Sequence, residues 1–260
     1  MKDFFKNCQK YWNFCCHSAY CQLNIEVAGM KLGWLWWLLE PALFMCVYVF
    51  VFAVVFSSKM TYVMSFISTG VMMWGFFNRM VTGSVGLVKR YAGLLGRVYM
   101  PKYVLVISNL MLNAFKMAIA FLLVLFFQIY YQIPLSLTML QFFPVLLVFF
   151  LFTFGVSLWV MHWGVYLRDM QKIVSVLMRV LFYLCGVFFD LSNRLSNEFG
   201  TIMLNINPIA RLMHEVRNVL LYGENCSVTH LLIWFVVGII ITVTGISKVT
   251  RYEREYLKVV

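Results

Sequence analysis

The sequence predicts an all-α integral membrane protein. Its six transmembrane helices are joined by an N-terminal interfacial amphipathic helix and by a re-entrant helical hairpin between spans five and six. Three observations predict this. Of 260 residues, 63% are hydrophobic and 12% charged, against about 45–50% and about 25% in a soluble domain, so a soluble core cannot absorb the apolar surface. The apolar residues fall in runs of about 20, the length that crosses a hydrocarbon layer of about 30 Å, and runs this long satisfy their backbone in lipid as helices. The formal charge of +11 is spread over short segments between these runs, which orients a membrane protein and does not make the single basic face that nucleic acid requires.

The spans are read at 34–56, 62–87, 103–131, 142–166, 173–189 and 228–247. Residues 1–33 form a cytoplasmic N-terminal segment, 34–247 the transmembrane domain and 248–260 a cytoplasmic tail. In the first segment Phe4, Phe5, Tyr11, Trp12, Phe14 and Tyr20 alternate with Lys2, Lys6 and Lys10, the mixture that suits a helix lying in the membrane plane. No cleavable signal is read there, so the first span is expected to stay in the mature protein. Basic residues before span one, at Lys89, Arg90, Arg97 and Lys102, at Arg168 and Lys172, and in the tail outweigh the opposite connections, which hold Lys59, nothing charged at 132–138 and a balanced set of charges after Phe189. Both termini are therefore expected in the cytoplasm.

Two connections carry patterns of their own. The inner loop 88–102 is short, basic and partly amphipathic, and Pro101 is expected to end its surface helix. In the outer segment 190–227, Asn207-Pro208 opens a helix whose Ile209, Leu212, Met213, Val216 and Leu220 share one face. Arg211, Glu215 and Arg217 fall largely on the other; Arg211 and Glu215 are spaced to pair, and Gly223 is placed to stop the helix. This reads either as a re-entrant hairpin in the outer leaflet or as an interfacial helix lying flat.

Charged residues inside apolar runs are candidate functional groups. Glu40 and Arg79 have compatible depths and are expected to pair, either structurally or at a polymer's entrance. Lys116 has no evident partner in sequence. Trp34, Trp36, Trp37, Trp74, Phe76 and Phe77 crowd the ends of spans one and two, and serve either as interfacial belts and packing or as a conduit on which sugar rings stack. Cys15, Cys16, His17 and Cys21 lack the paired spacing of a zinc site and read as ordinary apolar cysteines, so no metal site is expected. No phosphate loop of the G-x-x-x-x-G-K-[ST] type occurs, so the chain does not hydrolyse ATP by that route.

Three stretches resemble the permease subunits of type-2 ABC exporters of polysaccharide, O-antigen, capsule or teichoic-acid-like polymers. They are LGWLWWLLEPALFMCVYVFVFAVVF at 32–56, GLLGRVYMPKYV at 93–104, and LRDMQKIV, RVLFYLCGVFFD and NPIARLMHEVRNVLLYGE between 166 and 224. The order and spacing match over nearly the whole chain. The sequence departs from the family at Cys185-Gly186, where Ser or Thr then Pro is usual, and at Glu26, Val27 and Ala28, where the family is richly basic.

The resemblance implies a homodimer in the bacterial inner membrane, joined to two copies of a nucleotide-binding ATPase that carries ATP and Mg²⁺, with no cofactor on this chain. Tyr91, Leu94, Leu95, Arg97, Val98 and Pro101 then form the coupling loop, with Arg168 and Asp169 beside it or pinning span four. The cargo is a lipid-linked glycan or polyol-phosphate polymer, and membrane lipids are the other partner. The rival readings are an exporter of a small lipophilic drug or lipid and, from another class, a membrane-embedded lipid-linked transferase.

Overall fold

The computed structural model describes residues 2–51, 62–134, 136–189 and 197–259. These are helical or loop, with no strand among them. In chain order the helices are α1 (Lys2–Lys10), α2 (Trp12–Val27), α3 (Trp36–Val49), α4 (Val63–Val85), α5 (Leu87–Arg90), α6 (Ala92–Leu95), α7 (Tyr103–Tyr130), α8 (Phe142–Tyr166), α9 (Met170–Leu184), α10 (Asn197–Ile206), α11 (Pro208–Arg217) and α12 (Val228–Val259). Among the described residues, three segments are long and apolar enough to cross a bilayer: Tyr103–Tyr130, Leu137–Tyr166 and Val228–Glu253. Gly33–Val49 is apolar but shorter, α9 has 15 residues, and the 23 residues of α4 are interrupted by Ser, Thr, Asn and Arg. The outer end of the first expected span, Lys59, and 190–196 of the expected hairpin lie outside the described residues.

α4 is the hub, packed against α3, α7, α8, α9 and α11. Four of its hydroxyls bond back within the helix, among them Thr69 and Ser84, which donate to the carbonyls of Ser65 and Met80 at 2.8 and 2.7 Å, while Ser65 Oγ is buried without a hydrogen-bond partner. Such back-bonding lets polar residues sit in an apolar interior without unpaired groups. The α4–α7 seam is held by amides, with Asn109 Nδ2 donating to the Met80 carbonyl and to Ser84 Oγ, both at 3.3 Å. Close approach between α4 and α8 requires Gly164, where a Cβ would stand 2.3 Å from the Val85 carbonyl oxygen. Backbones meeting at a small residue gain the dispersion contacts that drive helix association in lipid.

The N-terminal segment packs along α7. Cys15 donates to the Val104 carbonyl at 3.7 Å, Ser108 donates to the Cys15 carbonyl at 3.5 Å, and Glu26 pairs with Lys116. The two helices therefore run side by side for about 11 residues, about 16 Å. The contact spans the first half of a 28-residue helix. Within the expected tail, 248–259 continue α12 as one helix to Val259. Pro101 does not end the loop helix: α6 stops at Leu95, and the Pro101 carbonyl accepts from Val104 N at 3.1 Å in the entry turn of α7. A proline lacks the N–H that a first turn leaves unused, so it suits a helix start.

Candidate functional site

A cavity of about 1300 Å³ lies between α3, α4, α7 and α9, with the end of α2 at its rim. α3 presents Trp36, Trp37, Glu40, Phe44 and Tyr48 to it, and Pro41 lies within that continuous helix. A proline donates no hydrogen bond, so the Trp37 carbonyl loses its partner one turn back and is left as an acceptor beside the cavity. α4 contributes Trp74, Asn78, Arg79 and Thr82, α7 contributes Lys116, and α9 contributes Ser175, Arg179, Phe182 and Tyr183.

The charges share one level. Lys116, expected to be without a partner, makes an ion pair with Glu26, at the last turn of α2. Met80 stands beside Asn109 and Asn113, which brings Arg79 to the depth of Lys116, and Arg79 lies within coulombic reach of both Glu40 and Glu26. The pair expected between Glu40 and Arg79 is not closed: among the described residues neither makes an ion pair within 4.0 Å, and Arg79 Nε has no hydrogen-bond partner. The guanidinium folds back toward Gly75, where a Cβ would lie 3.2 Å from Nη1, and both residues line the cavity. Three cations thus confront two anions in one cavity.

The aromatics divide. Trp74 sits 5.5 Å from Phe182, and Tyr48 3.8 Å from Phe188 and 6.3 Å from Phe182, so one ring cluster joins α3, α4 and α9. Phe76 and Phe77 are both buried in the core: Phe76, two places past Trp74 and so on another face of the helix, lies between Phe149 and Phe150 of α8, and Phe77, three places past it, packs 5.9 Å from the Trp74 ring. Trp34 does not line the cavity and is 64% exposed. Sequence reasoning missed Tyr48, Phe182, Tyr183, Glu26 and Arg179. The signal for Arg179 was present, since it interrupts an apolar run; nothing in sequence links α2 to α7.

The inner loop is braced from two sides. Tyr91 OH meets Ser18 Oγ at 2.8 Å and accepts from Gln22 of α2, while Tyr11 OH donates to the Tyr99 carbonyl at 3.2 Å. From the other side Tyr99 OH donates to Glu253 of α12 at 2.5 Å. Burial lowers the Lys102 pKa and the nearby Glu253 carboxylate opposes that shift. Burial pushes the Cys15 thiol up to about 12, so this cysteine is a packed apolar group and not a thiolate ligand. Leu95 is buried, whereas Leu94, Arg97 and Val98 are exposed, as are Arg168 and Asp169 between α8 and α9.

On the opposite side α11 is clamped. Asn207 Oδ1 accepts from Ile209 N and Ala210 N at 3.1 and 3.3 Å, capping the helix ahead of Pro208. Arg211 pairs with Glu215 at 2.7 Å, and Glu215 also accepts from Ser227 N at 2.9 Å. Glu215 and Arg217 were expected on a polar face, yet both are buried. Arg217 donates to the carbonyls of Gly186, Val187 and Phe66 at 2.9, 2.7 and 3.3 Å, its guanidinium 3.5 Å from the Phe66 ring centre. It thereby closes the frayed end of α9 onto α4. Gly223, at φ +66°, ends the last turn in the left-handed conformation.

No family model matches the chain. It is 25% identical over 238 residues, 91% of each chain, to an O-antigen export system permease protein RfbA of Klebsiella pneumoniae. A second protein of that name from the same organism is 23% identical over the same shares. The O-antigen export system permease protein RfbA of Myxococcus xanthus is 29% identical over 192 residues, 74% of each chain.

Proposed function

We propose that this chain is the permease subunit of an ATP-driven exporter that carries a polysaccharide of the O-antigen class across the bacterial inner membrane. The observation that carries the reading is similarity along nine-tenths of the chain to O-antigen export permeases. The cavity is consistent with it: aromatic walls take the apolar faces of sugar rings, and side-chain donors take their hydroxyls. Those charges also weigh against a cargo that is wholly apolar, and among the described residues no cluster of three or more metal-ligating side chains supports a transferase centre.

In finer terms the reading has six spans: α3, α4, α7, α8, α9 and α12. α4 is surrounded by protein and needs no continuous lipid-facing surface, so its polar residues do not exclude it. α10 and α11 form a re-entrant outer hairpin, supported by the pairing of every charge on α11 that faces the core. The basic inner connections set both termini in the cytoplasm. ATP and Mg²⁺ belong to two copies of a separate ATPase subunit, which moves the inner loop as a rigid lever braced by α2 and α12. A second copy of this chain faces the cavity, whose flanking helices expose apolar Leu43, Val47, Val176 and Val180. The cargo is carried on a lipid.

The test is complementation. In a strain lacking its own O-antigen export permease but supplied with this chain and its neighbouring ATPase, polymer should return to the cell surface. Internal accumulation despite membrane insertion of both subunits would overturn the reading.

A further inference from the structure

α12 is fastened to its surroundings near both of its ends. Close to its start, Arg211 Nη2 of α11 and Ser227 Oγ meet His230 Nδ1 at 3.0 and 2.7 Å, and Ser227 N donates to Glu215 of α11 at 2.9 Å. A guanidinium only donates, so Nδ1 is the acceptor in this contact. Toward its other end, Glu253 accepts from Tyr99 OH, between α6 and α7, at 2.5 Å, and Tyr256 OH meets His162 Nδ1 of α8 at 2.6 Å. About 35 Å of helix separate His230 from Glu253. Between them α12 lies on α8 with little freedom to slide. A Cβ at Gly155 of α8 would stand 2.8 Å from Thr242 Oγ1, and one at Gly245 of α12 would stand 3.0 Å from Leu158 Cβ. Trp159 Nε1 donates to the Ile241 carbonyl and Thr242 Oγ1 to the Leu151 carbonyl, each at 3.2 Å. Such close packing with cross-helix hydrogen bonds favours a single register, because a slip would strand the donors in an apolar layer. The 32 residues of α12 contain no proline to kink it.

We propose that α8 and α12 form one transmission rod that passes displacement of the loop 88–102 to α11, with Tyr99–Glu253 and Arg211–His230 as its two end contacts. This rests on the exporter reading and deepens it. The loop is joined in sequence to α4 and α7, by way of α5 and α6, and a push from an ATPase travels into those helices directly. The Tyr99–Glu253 contact adds a second route, which chain order does not supply, to the far end of the bundle. There α11 is tied by Arg217 to the end of α9 and to α4, so a rigid-body shift of the rod reaches those helices as well. Glu253 and His230 are positioning residues, and neither lines the cavity.

The test is a double-mutant cycle across the length of α12, on the full chain co-expressed with its neighbouring ATPase in the complemented strain. Surface polymer is measured on the cells and ATP turnover on the complex purified from them; the readout is their ratio. Tyr99→Phe removes one hydroxyl from a ring that is 67% exposed, and His230→Ala removes the acceptor that Arg211 and Ser227 share. Each should lower the ratio about tenfold, the order of one charge-assisted hydrogen bond. The double variant should fall no further than the worse single one, because a rod released at either end no longer transmits. Sites this far apart otherwise act independently, so their losses would multiply. Glu253→Gln and His230→Asn keep an oxygen acceptor in place and should keep the ratio. Losses that multiply in the double variant would overturn the rod, as would a ratio that ignores both single changes. Failure of both single variants to assemble with the ATPase would make the contacts structural ties and overturn the transmission role. A wild-type complex that restores export while its variants behave in one of these ways defeats this inference alone; a wild-type complex that fails to restore export defeats the exporter reading.

Discussion

The clamp at Arg217 and the cavity at Arg79 each place a guanidinium among apolar helices, and they use it in opposite ways. Arg217 reaches three backbone carbonyls and lies on an aromatic ring, with the helix end it closes packed around it. Arg79 folds back on its own helix beside a cavity, with two carboxylates near but neither in contact. A guanidinium whose two terminal nitrogens both meet fixed carbonyls works as a structural tie. One whose neighbours leave its charge unmatched is poised for something that enters. Residue type and helical setting are the same in both places; the supply of acceptors differs.

The comparison is broken or sharpened most strongly at the tie itself. Arg217→Ala should destabilise the protein by about 3–5 kcal/mol, because it strands buried carbonyls and opens the end of α9. Thermal unfolding in detergent should show the loss, and an unchanged midpoint would remove the structural role. The aromatics offer a second contrast. Phe76→Ala should cost about 3–5 kcal/mol as a core cavity, whereas Trp36→Ala, at a partly exposed cavity wall, should leave stability nearly unchanged and reduce export. Matching stability losses for the two would erase the division between packing and lining rings.

Gly70→Ala is a smaller probe of the clamp. Its Cβ would fall 2.4 Å from Arg217 Nη2 and 2.7 Å from the Val187 carbonyl oxygen, and overpacking of this kind costs about 1–3 kcal/mol. The unfolding midpoint should fall while the same variant still inserts in the membrane. Smallest in stability is Arg79→Gln, expected to shift folding by no more than about 1 kcal/mol because no ion pair is lost. Export in the complemented strain should nonetheless fall strongly. A large loss of folded protein would instead make Arg79 a second tie and collapse the comparison.

Much of the fold was legible because its signals are local. The runs that became α7, α8 and α12 are long and unbroken, so length and apolarity suffice. The Asn207-Pro208 start and the Gly223 stop of the outer helix follow from side-chain capping and left-handed backbone, which a few neighbouring residues decide. The candidate site was legible in part. Trp36, Trp37, Trp74, Glu40, Arg79 and Lys116 were singled out and do share one cavity, because a charge or a cluster of indoles inside an apolar run stands out by composition alone. Periodicity from Trp74 was enough to separate Phe76 from the lining but was outweighed by proximity in sequence.

By itself, then, the sequence determined that the chain is helical and membrane-bound, where its longest helices lie, and which charges are anomalous. Only the tertiary structure decided what each anomalous charge meets. Glu26 lies 90 residues from Lys116 in sequence yet closes on it, and Glu215 and Arg217 turned inward although the helical pattern put them on a polar face. The reason is physical. Helix formation depends on hydrogen bonds four residues apart and on the solvent, both written into the local sequence. The partner of a buried charge depends on which distant backbone or side chain packing brings within about 4 Å, and that is fixed only when the helices are assembled.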